Sequence, residues 1–393
     1  MLKLLQINIC SAMLSTGKIT EDISKVAIRH GWNTYTAYGR FAKQSVSHQF
    51  RIGTQWDTYK HYVEHRLFDR EGLASRGATA RLVRQIEDIC PNIIHLHNIH
   101  DHYLNYPILF KYLASLNTPI VWTQHDCWAF TGGCMYFDLM NCNKWKSGCN
   151  ECPENRALFC NRSKEQFVLK KECLDSIRNL TFVSVSNWLK GLLEESVQKH
   201  RRIEIIHNGV DICTFAPIEE KKQGDTFNIL GVAAIWDQRK GLDDFLRLRR
   251  MLSDEYKITL VGLTPKQIRL LPDGIRGITR TTNVEELVRL YVKADVFVNP
   301  TYSDNFPTTN IEALACGTPV ITYKTGGSPE ALDEKTGLVV EQGNIKSLVH
   351  AIMQMKENPL SSADCRSRSE AYFDKDKCYE QYVHLYESLL KSY

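Results

Sequence analysis

The chain is 393 residues long, room for two or three domains, and its 43% hydrophobic and 24% charged residues are those of an ordinary globular protein. No apolar run approaches the roughly 20 residues a bilayer span requires, and residues 2–10 are too short for a signal core, so a cytoplasmic protein is expected. A net charge of +4 is too weak to argue for nucleic acid.

That charge is uneven. Residues 1–200 hold 24 Lys and Arg against 18 Asp and Glu. Such an excess suits an anionic membrane face, met peripherally at the inner side of the plasma membrane, or a pyrophosphate-linked acceptor. The thirteen cysteines read as reduced thiols or metal ligands rather than disulfides.

Residues 2–9 form an apolar strand, and Ser15-Thr16-Gly17-Lys18 then opens a helix over 19–30. Glycine after a strand lets backbone approach a ligand and a helix start favours phosphate, although a plain strand-to-helix turn fits as well. A strand follows at 33–38, with helices at 58–68 and 78–89; the second stops before Pro91, as the residue preceding proline should. Strand 93–96 feeds His97-Asn98-Ile99-His100-Asp101-His102. No cysteine or carboxylate stands at zinc spacing from these histidines, so a polar, substrate-facing loop is expected. A helix at 103–116 and a strand at 119–123 lead to His125-Asp126. A histidine at the mouth of a parallel sheet is placed to touch a ligand, a histidine bonded to its own loop being the plainer alternative.

The next stretch is rich in cysteine. Cys134, Cys142, Cys149 and Cys152, with seven, six and two residues between them, could close a tetrahedral structural zinc site, with packed thiols as the alternative. Trp128, Phe130, Tyr136, Phe137 and Trp145 are expected to form an aromatic wall beside the site, suited to sugar rings or a lipid interface. A helix at 162–177, a strand at 181–185, a helix from Ser186 to about residue 199 and a strand at 203–206 complete the first half. Asn208-Gly209 marks a turn, and the lysine-rich residues 219–225 read as a linker.

Strand 228–232 leads to Arg239-Lys240-Gly241 at a helix start. A cationic pair there reads as a clamp for pyrophosphate, or as a solvated basic helix end. After strand 256–261 and helix 284–293 comes the most informative stretch, residues 299–330, NPTYSDNFPTTNIEALACGTPVITYKTGGSPE. It runs strand, polar loop, helix from about 309, strand 320–322, glycine loop, the cadence of a parallel α/β sheet. Asp304 and Glu312 flank the loop with seven residues between them, and carboxylates make charge-assisted hydrogen bonds to the hydroxyls of a polyol. A strand at 337–340 and helices at 345–356, 361–373 and 377–390 close the chain.

The string DNFPTTNIEALACGTPVITYKTGGSPE resembles the sugar-nucleotide motif of the family 4 retaining glycosyltransferases. That resemblance implies two Rossmann-like parallel-sheet domains of the GT-B fold, facing across a cleft that closes to exclude water. It assigns Glu312 to the ribose hydroxyls and Asp304, where the family has glutamate, to the donor sugar. Asn305, Phe306, Thr308 and Thr309 would meet the donor through the loop and helix start, and Gly17 would lie near its phosphates. It places His125 near the transferred sugar and Lys240 on the diphosphate, with Arg239 substituting for an arginine the family carries further upstream. Asn208-Gly209 matches a signature at the crossing between domains, and the cysteine-rich insertion is similar to that of a subgroup linked to colanic acid and other exopolysaccharides.

The resulting expectation is an acceptor-side domain over 1–206 with an insertion at 127–160, and a nucleotide-sugar domain over 207–376. A last helix, 377–393, returns to the first. The activity expected is hexosyl transfer with retention from a UDP- or GDP-sugar to a glycan or lipid-pyrophosphate-linked acceptor, with no metal required for catalysis. Two alternatives stand beside it: a GT-B sugar-nucleotide epimerase or phosphorylase, and a non-catalytic, zinc-stapled glycan-binding protein.

Overall fold

The computed structural model describes residues 1–218 and 226–392, so the linker expected at 219–225 lies outside the described residues. The chain divides into two compact units, Met1–His207 joined by the stretch from Cys378 onward, and Asn208–Lys377.

The first unit runs β1 Lys3–Ser11, α1 Leu14–Arg29, β2 Asn33–Ala42, β3 His48–Arg51, α2 Gln55–Phe68, α3 Arg76–Ile89, β4 Ile93–Leu96, α4 Tyr106–Leu113, β5 Ile120–Gln124, α5 Ser163–Asp175, β6 Leu180–Ser184, α6 Asn187–Glu195 and β7 Arg202–Ile205. Its seven strands pair in parallel in the order β3-β2-β1-β4-β5-β6-β7. Strands β4, β5 and β6 are buried on both faces, as the continuous apolar character of inner parallel strands requires.

Local chemistry shifts several boundaries. Helix α2 starts at Gln55 because Thr54 and Asp57 form a capping box, Asp57 N donating to Thr54 Oγ1 (3.2 Å) and Thr54 N to Asp57 Oδ2 (2.8 Å). Helix α4 starts at Tyr106, not 103, because Asn105 caps it through Ile108 N (3.0 Å) with Pro107 in its first turn. Helix α6 ends at Glu195, short of 199. Strand β3 is unforeseen, a four-residue edge strand whose first two residues are exposed.

The second unit runs β8 Phe227–Val232, α7 Leu242–Met251, β9 Tyr256–Val261, α8 Pro265–Ile268, β10 Ile275–Ile278, α9 Val284–Lys293, β11 Val296–Asn299, α10 Thr308–Ala315, β12 Val320–Tyr323, β13 Gly337–Val340, α11 Ile345–Glu357 and α12 Ser362–Tyr372. Its sheet is again parallel, in the order β10-β9-β8-β11-β12-β13. Phe245 and Leu248 of α7 and Leu348 and Ile352 of α11 pack over this sheet's core. A final helix, α13 Lys375–Ser392, buries Tyr379, Tyr382, Val383 and Tyr386 against Leu4, Ile23 and Trp32 of the first unit's core.

Each strand order reverses once, between β1 and β4 and between β8 and β11. Parallel sheets hold ligands beyond the carboxyl ends of the strands at such points. Topology therefore singles out the loops after β1 and β4 in one unit, and after β8 and β11 in the other. Among the described residues no helix is long and apolar enough to cross a membrane.

Candidate functional site

In the second unit the loops after β8 and β11 are bolted together by backbone. Gly241 adopts φ 72°, and a Cβ there would lie 2.2 Å from the Pro300 carbonyl oxygen, so only glycine permits the approach. Tyr302 N donates to the Arg239 carbonyl (2.7 Å), and Arg239 Nη1 donates to the Ser303 carbonyl (3.0 Å). Lys240 Nζ consequently meets the Asp304 carboxylate in an ion pair, both side chains more than four-fifths buried. From the other side Gly326, at φ 55°, brings Gly327 N to the Asp304 carbonyl (3.1 Å). Residues separated by more than sixty positions thus fix one carboxylate and one ammonium.

The loop then enters α10, whose N-cap Pro307 makes no side-chain capping bond. A helix start without a side-chain cap presents backbone N–H groups suited to an anion. Thr308 and Thr309 occupy this first turn, half-buried, while Asn305 and Phe306 are buried in the loop before it. Phe306 packs on Phe373, and its carbonyl accepts from Asn208 Nδ2 (3.2 Å). One turn on, Glu312 Oε2 accepts from the hydroxyl of buried Tyr291 (3.0 Å). A buried relay from Asn299 through Asn310 to Ser328 and Thr322 ties the helix to β11 and β12.

One contributor went unforeseen. Asp244, 1% exposed, accepts from the hydroxyls of Tyr302 and Tyr323, each at 2.8 Å, and so anchors the loop that carries Asp304. The signal was present as the pair Asp243-Asp244 in the first turn of α7, where it reads as ordinary dipole complementation.

In the first unit, hydrogen bonding dictates the state of His125. Gln6 Nε2 donates to the Thr20 carbonyl (2.8 Å), so Gln6 Oε1 must accept from His97 Nε2 (3.0 Å). His97 Nδ1 is then an acceptor and takes the proton of His125 Nε2 (3.1 Å), which makes Nδ1 the lone-pair nitrogen of His125. Burial lowers the His125 pKa to about 4, opposed by Asp126 and reinforced by His100. The ring is neutral at physiological pH, with a basic nitrogen of defined identity.

Several expectations are corrected here. Asp126, beside His125 in the chain, pairs with His100 Nε2 at 2.8 Å. The histidine loop does not face substrate as a whole. His95 is fully buried between Thr123 (2.8 Å) and Tyr386 (2.7 Å), and His97 is 1% exposed, because remote hydroxyl and amide partners satisfy both rings. Gly17 lies in the first turn of α1, where a Cβ would sit 2.9 Å from Cys10 Sγ, so helix and strand pack closely there. Phe130, Phe137 and Trp145 are buried against one another, with ring centroids 4.8 Å apart for Phe137 and Trp145, while Trp128 is buried against Tyr106 and Trp122, so these rings are core, not a wall. Lys170 pins that core, donating to the Trp128 (2.6 Å) and Thr131 (3.1 Å) carbonyls.

The zinc expectation is not supported. Among the described residues no three His, Cys, Asp or Glu side chains are grouped to hold a metal ion. Cys149 Sγ instead accepts from Gly132 N (3.1 Å), and Cys134 is hydrogen-bonded to Cys152, so the sulfurs are engaged locally.

The His100–Asp126 pair carries a pH signature. His100 is raised to about 9 because the Asp126 carboxylate outweighs the cost of burial, so its stabilisation is whole below about 6.5 and fades as pH rises through about 9. Asp126 is lowered by His100 despite burial, so its contribution is whole above the ordinary carboxylate range and is lost as pH falls through the lowered value. Asp126→Asn is expected to cost about 3–5 kcal/mol near pH 6. Thermal unfolding across this range checks it: the wild-type decline toward pH 9 should vanish in the variant.

Comparison with known proteins bears on family and fold. A model described as Glycosyltransferase Family 4 matches residues 42–213, and one described as Glycosyl transferases group 1 matches residues 226–358. The chain is 23% identical over 99% of its length, and 100% of the relative's, to WcaC of Escherichia coli K12, assigned as a colanic acid biosynthesis glycosyl transferase. Among solved structures it resembles sucrose-phosphate synthase of Thermosynechococcus elongatus (TM-score 0.75, 17% identity, 100% of both chains). It also resembles Anabaena HepE in complex with UDP-glucose (TM-score 0.67, 13% identity, 99% and 100% covered).

Proposed function

Because the chain belongs to the family 4 glycosyltransferases of GT-B fold, we propose that it moves a hexosyl group, with retention, from a UDP- or GDP-sugar to a glycan or lipid-pyrophosphate-linked acceptor in polysaccharide synthesis. The observation that carries this reading is the Lys240–Asp304 ion pair, held by two loops at the strand-order reversal, with Asp304 in the loop that enters α10 and Glu312 one turn into that helix. An ammonium and a helix start suit a diphosphate, and Glu312 suits two vicinal ribose hydroxyls. The UDP-glucose bound to the Anabaena structure and the colanic acid assignment of the Escherichia coli relative support the donor and the pathway class.

In the proposed reaction the bond from the anomeric carbon to the diphosphate oxygen breaks while an acceptor oxygen bonds the same face. The acceptor's proton passes to a leaving phosphate oxygen. Lys240, with Arg239 holding its loop, offsets the charge that develops on the diphosphate, the main electrostatic demand of the step. Asp304 turns to the donor sugar once the phosphate competes for Lys240. His125, neutral with Nδ1 as acceptor, takes a hydrogen bond from a sugar hydroxyl.

Calorimetric titration with UDP and GDP tests the pocket directly. Tight binding of one nucleotide identifies the base of the donor; binding of neither by the folded protein overturns the reading.

A further inference from the structure

A pocket of about 430 Å³ in the first unit takes no part in the site described above. Its volume lies within the range of small-molecule sites. It opens at the carboxyl ends of β2 and β3 against α2, and its walls include Arg40, Phe41, Arg51, Tyr59, Tyr62 and His102. Three of these are aromatic residues left in solvent: Phe41 is 45%, Tyr59 61% and Tyr62 48% exposed. Large rings grouped on a surface beside cations mark an interaction site more often than chance packing.

The two arginines differ. Arg40 pairs with Asp101 at 2.8 Å, so its charge is balanced. Arg51 donates through Nε to the Gly39 carbonyl (3.3 Å) and forms no ion pair among the described residues, leaving its terminal guanidinium charge uncompensated at the pocket wall. His102 is braced there by Asp101 (2.9 Å), and both residues hold left-handed backbone, φ 77° and 71°. Two successive non-glycine residues in that conformation cost free energy that surrounding contacts must offset, a pattern that clusters at ligand sites.

We propose that this pocket recognises an anionic sugar, one bearing a carboxylate or a phosphate, as part of the acceptor. Arg51 engages the charge bidentately, and Tyr59 and Tyr62 offer faces to the sugar ring. The proposal rests on the transferase reading and deepens it by naming the acceptor's chemistry.

The test is ligand-observed NMR titration of the full chain with glucuronate, glucose 6-phosphate and glucose. The proteins compared are the wild type, Arg51→Gln, Arg51→Lys and Tyr59→Ala, each also titrated with UDP and GDP. One or both anionic sugars should bind at least about tenfold more tightly than glucose, and the better of the two names the charged group. Arg51→Gln should remove that preference, Arg51→Lys should keep part of it, and Tyr59→Ala should weaken all three sugars.

Equal binding of all three sugars, or an anionic preference that survives Arg51→Gln, overturns the proposal while nucleotide binding leaves the transferase reading standing. Failure of the wild type to bind either nucleotide sinks the transferase reading and, with it, the acceptor role. Capture of phosphatidylglycerol vesicles that Arg51→Gln abolishes, with no response to any sugar, overturns the proposal in favour of a lipid surface.

Discussion

Lys240→Ala is expected to lower kcat by about 10²–10³-fold, the loss typical when one preorganised group facing developing transition-state charge is removed. The effect should fall more heavily on kcat than on UDP affinity, because the diphosphate carries more charge as it leaves than while it is bound to sugar. The ion pair complicates the variant in a useful way. Removing Lys240 leaves the Asp304 carboxylate, mostly buried, without its partner, so stability should fall as well. Pairing Lys240→Met with Asp304→Asn removes both charges, and this double variant should recover stability without recovering turnover. Thermal unfolding beside steady-state kinetics separates the two effects. A Lys240→Ala enzyme turning over within threefold of the wild type would remove Lys240 from the reaction.

What could be read from the chain was set by range. The alternation of apolar runs with amphipathic segments predicts two parallel sheets, and the strands at 93–96, 256–261 and 337–340 are present within a residue. The first two are inner strands, where pattern and burial agree, and the third is an edge strand whose apolar run is still readable. Strand β3 carries no such signal, since His48 and Gln49 at a sheet edge are exposed and alternate with nothing.

In the second unit the motif's own loop supplied Asp304, while Lys240 came from a helix start 64 positions away that reads as a phosphate site by itself. The first unit was harder. His97 depends on Gln6, 91 residues earlier, and His95 on Tyr386, 291 residues later, so its histidines looked like a loop facing outward. The insertion misled in the same way. Its tryptophans and cysteines are residue types that suit binding sites and small cores equally, and only their mutual contacts decide between the two.

Glu312→Ala is expected to weaken binding of the cognate nucleotide about tenfold to a hundredfold or more, the worth of one or two charge-assisted hydrogen bonds to ribose. The same carboxylate accepts from Tyr291, whose hydroxyl lies in a fully buried ring, so the variant also strands a buried donor. That should cost roughly 1–3 kcal/mol of stability. Two further variants apportion the effect. Glu312→Gln keeps an acceptor for Tyr291 and loses the charge, so it should retain stability while binding nucleotide at an intermediate level. Tyr291→Phe removes the hydroxyl and leaves the carboxylate; if Tyr291 only orients Glu312, affinity should fall by no more than severalfold. Calorimetry with UDP and GDP on all three variants, beside thermal unfolding, resolves these outcomes. Wild-type affinity in Glu312→Ala would move the ribose contact elsewhere on the second unit. Lost affinity in Glu312→Ala with near-normal stability in Glu312→Gln would mean that the carboxylate is positioned by Tyr291 and used by the nucleotide.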